Sequence, residues 1–67
     1  MNIPNIELIK QRIPENFHPA DYYNELINTG NWSVKSMAES LEMPYKNKRT
    51  FIKDLIKKME YIKENNL

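Results

Sequence analysis

Cysteine is missing from this 67-residue chain, and with it go disulfides, thiolate metal ligands and cysteine-based catalysis. A single histidine, His18, would leave a zinc site to be built mostly from carboxylates, so no metal or other cofactor is expected. Glycine is almost as scarce: Gly30 stands alone, and no glycine-rich phosphate loop can be made from it. No Ser/His/Asp set is evident among the remaining polar residues, and His18 beside Pro19 reads as a helix-start residue, so no enzyme is expected. No apolar run approaches the roughly 18 residues that span a bilayer, and no apolar signal-peptide stretch follows Met1. The expectation is a soluble, cytoplasmic protein with no membrane partner.

What is present fits one helical domain covering 1–67. A chain this short buries a modest core, and without disulfides or metal it must rely on helix packing or self-association. The four prolines, Pro4, Pro14, Pro19 and Pro44, are widely spaced, which suits helices with short connections better than hairpins. Net charge is only +1, yet its distribution is uneven. Residues 1–44 hold three Lys/Arg against six Asp/Glu; residues 45–67 hold seven against three. The positive pole of the molecule therefore lies in one stretch.

Four helices are predicted. Pro4 suits a first turn, and Ile6, Leu8, Ile9 and Ile13 follow; Pro14 stops that helix near Arg12. Phe17 is expected as a core anchor in the connection. Pro19 opens a second helix, with Asp21 near its positive end and Tyr22, Tyr23, Leu26 and Ile27 as its apolar stripe. Tyr22-Tyr23 reads as core plus rim. Gly30 is expected to end this helix in the left-handed conformation, and Trp32 to enter the core. Ser33 is the expected N-cap of a third helix whose face is Val34, Met37, Ala38 and Leu41. Pro44 ends it near Leu41 or Glu42. A fourth helix, from about Asn47 to Lys63, carries Phe51, Ile52, Leu55, Ile56, Met59 and Ile62, and frays over 65–67.

The run Ser33 to Ile56 resembles the helix-turn-helix of bacterial and phage DNA-binding proteins. Ala38 stands at the small position where the second helix crosses the first, and Met37, Leu41 and Met43 stand at the apolar positions around the turn. Two positions depart from the pattern. Glu42 occupies the place commonly given to glycine, and Lys48 an expected apolar place, which extra turn residues Pro44-Tyr45-Lys46 would repair by using Phe51 or Ile52. The resemblance implies an all-α domain with a helix-turn-helix unit over about 33–60 and a recognition helix beginning near Lys46. Tyr61-Ile62 is similar to the entry into a winged-helix wing, with any wing truncated or absent.

From that resemblance comes the expected role: a transcriptional regulator or accessory factor bound to double-stranded DNA. An α-helix fits the major groove, where Arg49 suits guanine and Asn47 suits adenine. Thr50 lies in the same turn. Lys46, Lys48, Lys53 and Lys57 suit phosphates. Ser33 and Lys35 sit where the preceding helix meets the backbone, and Tyr45 could donate to a phosphate or fold onto the core. A homodimer is expected, with the first helix (Ile6, Leu8, Ile9) or the C-terminal turn (Met59, Ile62) as its surface.

Plainer readings stand beside this one. A lysine-rich helix face is most often solvated surface, and Lys57 and Lys58 with Asp54 and Glu60 look like ordinary surface pairing. The acid-free run Lys46-Asn47-Lys48-Arg49 raises the functional reading. A different class is a helical protein-interaction module that modulates a host or viral protein, with Glu7, Glu15, Asp21 and Glu25 as an acidic face. A basic amphipathic helix over 46–63 at a membrane surface is disfavoured by Asp54 and Glu60 on its polar side.

Overall fold

A computed structural model describes residues 6–67. It contains four α-helices: α1 (Ile6–Arg12), α2 (Pro19–Ile27), α3 (Asn31–Ser40) and α4 (Lys48–Glu64). No strand occurs among the described residues. Pro4, expected in the first turn of α1, lies outside the described residues. The long α4 is the spine, and α1, α2 and α3 each pack chiefly on it, α2 most extensively. Phe51, Ile52, Leu55, Ile56, Met59 and Ile62 from α4 meet Ile9, Leu26, Val34, Ala38, Leu41 and Met43 in one buried cluster. Among the described residues no polar or charged one is buried with them.

The end of α2 shows why Gly30 is not its cap. The last four carbonyls of a helix lack intrahelical partners, and here each finds one. The Asn28 backbone N–H and Nδ2 both donate to the Asn24 oxygen, at 3.2 and 2.8 Å. Thr29 donates through Oγ1 to Glu25 at 2.9 Å and through its backbone N–H to Leu26 at 3.1 Å. The fourth carbonyl, Ile27, accepts from the Lys48 ammonium, which also donates to the Thr29 carbonyl. With the end closed by side chains, Gly30 is free to start the next helix. Its φ of −58° and ψ of 145° are those of the α3 N-cap, not of a left-handed C-cap.

Because α3 begins at Asn31, Ser33 lies inside its first turn and is not the cap. The same register moves Trp32. At about 100° per residue, Trp32 points well away from Val34, Ala38 and Leu41, and it is 81 % exposed where core was expected. Phe17 is peripheral: half-buried, with its ring edge-to-face on Tyr22 at 5.7 Å and the Lys63 ammonium 6.0 Å from its centroid.

Both α3 and α4 end in a left-handed residue that is not glycine. Glu42 (φ 56°) and Asn66 (φ 53°) are the positive-φ residues of the described chain. After α3, Met43 donates to the Ala38 carbonyl at 2.9 Å and Glu42 to Glu39 at 3.1 Å, the paired bonds of a Schellman closure. After α4, Leu67 donates to Ile62 at 3.1 Å and Asn66 to Lys63 at 3.4 Å, so the expected fraying is replaced by the same closure.

Candidate nucleic-acid interface

The exposed side of α4 is built by its own period. Six apolar residues face the core, which leaves Arg49, Thr50, Lys53 and Lys57 together on the outer side. Arg49, Lys53 and Lys57 recur every four residues and so form one ridge that drifts by about 40° per step. All three are exposed, and none makes an ion pair among the described residues. The ion pair that does form there, Lys58 to Asp54 at 2.7 Å, joins residues four apart on the flank of the same helix.

The charge order of α4 opposes its backbone. Helix N-termini favour acidic side chains, yet the first turn of α4 contains Lys48 and Arg49 and no acid. Like charges at i,i+4 are also mutually unfavourable, by about 0.2–0.5 kcal/mol per pair. Neighbouring elements do not neutralise the ridge. Pro19, Ala20 and Tyr23 of α2 lie beside Lys53, Ile56, Lys57 and Glu60, whereas Asp21 and Glu25 turn toward Pro14, Asn16, His18 and Tyr22.

The other expected contact residues divide. Lys46 is exposed in the turn just before α4. Asn47 is the N-cap, and its Oδ1 accepts from the Thr50 backbone N–H at 2.8 Å; the acceptor needed for a bidentate adenine contact is thus occupied. Lys48 is half-buried and its ammonium is held by the end of α2. Tyr45 folds onto the core, its ring 5.9 Å from that of Phe51. Ser33 and Lys35 are exposed on α3, where Lys35 groups with Trp32, Ser36 and Glu39 and not with the α4 ridge.

Two features escaped the sequence reading. One is the open, mainly apolar groove between α2 and α4, about 300 Å³, with Ala20, Tyr23 and Ile56 in it and the two ridge lysines along it. The spacing of Ala20, Tyr23 and Ile27 hinted at it, but the partner edge came from a distant segment. The other is the exposed Trp32. The expected dimer surfaces, by contrast, are largely used up: Ile9 and Met59 are 0 % exposed and Ile62 is 3 %, while Ile6 and Leu8 pack against the core.

Among the described residues no group of three or more His, Asp or Glu could hold a metal ion. No helix there is long and apolar enough to cross a membrane. Comparison of the chain with protein-family models, with curated proteins and with solved structures gives no match.

Proposed function

We propose that this chain is a non-enzymatic, cytoplasmic DNA-binding protein, a transcriptional regulator or accessory factor, that lays α4 into the major groove as a homodimer. The observation that carries this reading is the ridge Arg49, Lys53 and Lys57, which forms no ion pair among the described residues and is set against its own like charges, with Arg49 also opposing the helix dipole. Such an arrangement weakens the free protein and is relieved by an anionic partner. The turn between α3 and α4 adds support. Glu42 adopts the left-handed conformation for which a helix-turn-helix usually employs glycine, and Ala38 is fully buried. Phe51 and Ile52 fill the apolar places that Lys48 could not.

In this reading Arg49 meets a base edge near the start of α4, with Thr50 beside it, and Lys46, Lys53 and Lys57 meet phosphates. Lys48 and Asn47 hold the helix start in place. Two copies double the contacts, at half-site spacing of about one helical turn. The test is a salt titration of binding to labelled duplex DNA. Affinity is expected to fall steeply with salt, and Arg49→Ala and Lys46→Ala to weaken binding. No binding to any duplex at low salt would overturn the reading.

The apolar groove beside the ridge favours a second reading, in which Lys53 and Lys57 receive an acidic, partly apolar segment of a protein partner. Ala20→Glu and its uncharged counterpart Ala20→Gln together separate the two. Ala20→Gln fills the groove without adding charge: it weakens such docking but leaves Arg49, Lys53 and Lys57 unchanged for DNA, whereas the carboxylate of Ala20→Glu beside Lys53 and Lys57 weakens both.

A further inference from the structure

We infer that the outer face of α3 is a self-association surface whose occupant is a second copy of this chain. Trp32 leaves 81 % of its surface in water, and the other exposed large hydrophobic among the described residues is the terminal Leu67. Around the indole, Lys35, Ser36 and Glu39 line a shallow open depression of about 200 Å³. These four residues fall at i, i+3, i+4 and i+7, one face of the helix, turned away from buried Val34 and Ala38.

An isologous contact needs a patch complementary to itself, and this one is. Lys35 and Glu39 are four residues apart but form no ion pair among the described residues, lysine before glutamate being the weaker order on a helix. Each side chain is therefore open to the other copy. A two-fold axis crossing α3 makes the paired helices antiparallel, so the order Trp32, Lys35, Ser36, Glu39 meets its reverse. Lys35 of each copy then reaches toward the partner's Glu39, small Ser36 near the crossing lets the backbones approach, and each indole covers the partner's aliphatic stems. A net charge of +1 does not oppose the pairing.

The size of the patch sets its strength. An indole buries on the order of 200 Å², against about 800 Å² per partner in a standard stable interface. The pairing is accordingly concentration-dependent, not permanent. It takes Lys35 away from the phosphate contact that the sequence resemblance implied. It shares the homodimer of the DNA reading but needs no DNA.

Trp32 is the chain's single tryptophan, so emission excited selectively at the indole, beyond the absorption of the four tyrosines, reports on this face alone. Sedimentation equilibrium and Trp32 emission, followed together against protein concentration without DNA, test the inference. The expected result is a rise from monomer to dimer mass with a matching blue shift. Trp32→Ala and Lys35→Glu each weaken pairing by about tenfold or more, the latter by placing like charges opposite one another. The double variant Lys35→Glu with Glu39→Lys restores pairing, because a two-fold contact exchanges the two charges symmetrically. A monomer at every concentration overturns the inference; so does a dimer that forms with unchanged emission or survives Trp32→Ala. Failure here leaves DNA binding by α4 standing, and absence of DNA binding leaves this surface untouched.

Discussion

At the scale of single residues, Lys48 and Glu42 each do something that their chemistry alone does not announce. Lys48 belongs to the most basic run in the chain, yet its ammonium closes the negative end of α2, a helix with no basic residue in its own last turn. Hydrogen bonds to a charged group contribute about 1.5–3 kcal/mol when well sheltered. Half-exposure reduces that, so Lys48→Met is expected to destabilise by about 1 kcal/mol, lowering the melting temperature by roughly 4–8 °C. DNA affinity should change little, which a melt and a binding curve on the same variant will check. Glu42 is the opposite case, a residue whose backbone is strained. A left-handed L-residue costs roughly 1–2 kcal/mol, and the greater freedom of glycine in the unfolded chain returns about 0.4–1 of that. Glu42→Gly should then raise stability by about 0.5–1 kcal/mol in urea unfolding; a decrease would mean that the carboxylate's own contacts outweigh the strain. Tyr22 supplies the pH dependence. Burial pushes its pKa above the ordinary 10.0, Arg12 pulls it down and Glu25 adds to the rise. A raised folded-state pKa gives stability that is whole below pH 10 and disappears as pH climbs through the folded value. Alkaline unfolding should therefore lose one component in Tyr22→Phe.

At the scale of elements, α4 does two jobs on opposite sides, and the two sides constrain each other. Its buried side is so fully used that the remaining helices are arranged around it, and only its outer side is left for a partner. Small Ala38 is fully buried in α3, the helix that packs against α4. Ala38→Leu has no room to enter and is expected to cost about 1–3 kcal/mol, measured by chemical denaturation, and to push α3 off α4. Val34, Ala38, Leu41 and the six apolar residues of α4 were legible in the sequence because helical periodicity is a local property that survives folding. Helix ends set by proline were legible for the same reason: Pro14 and Pro19 act on their own neighbours. What was not legible depended on residues far apart in the chain. The end of α2 is closed by Lys48, twenty-one residues beyond Ile27, so Gly30 looked like the necessary cap when it was not. Once Gly30 starts α3, the register turns Trp32 outward, a shift of three residues in the helix start that moved the largest side chain from core to surface. The ridge itself was readable as charge. That Lys48 and Asn47 leave it for structural duties was not, because only their partners in the fold reveal this.

At the scale of the whole molecule, the uneven charge becomes an argument about energy. The second part of the chain holds seven Lys/Arg against three acids, the first three against six, and the fold does not use this opposition to neutralise the ridge. The acids of α2 face another side, and the flank next to α2 is apolar and uncharged apart from Glu60, while on the opposite flank Asp54, Glu60 and Glu64 lie near Lys57. Removing ridge charges should thus have opposite effects on two measurements. Each of Arg49→Ala and Lys53→Ala deletes a like-charge neighbour and inserts a stronger helix former. Stability should rise by a few tenths of a kcal/mol in the free protein, most clearly at low ionic strength. DNA binding should weaken, and the slope of log affinity against log salt should become shallower by about 0.9 for each phosphate that is no longer neutralised. A surface that only kept the protein hydrated would show the gain in stability without the change in slope. A surface that held the fold together would instead make the variants less stable. The combination of a stabilised protein and a shallower salt dependence belongs to a ridge kept for binding polyanions, and unequal weakening by Arg49→Ala across DNA sequences would then locate the residue that reads bases.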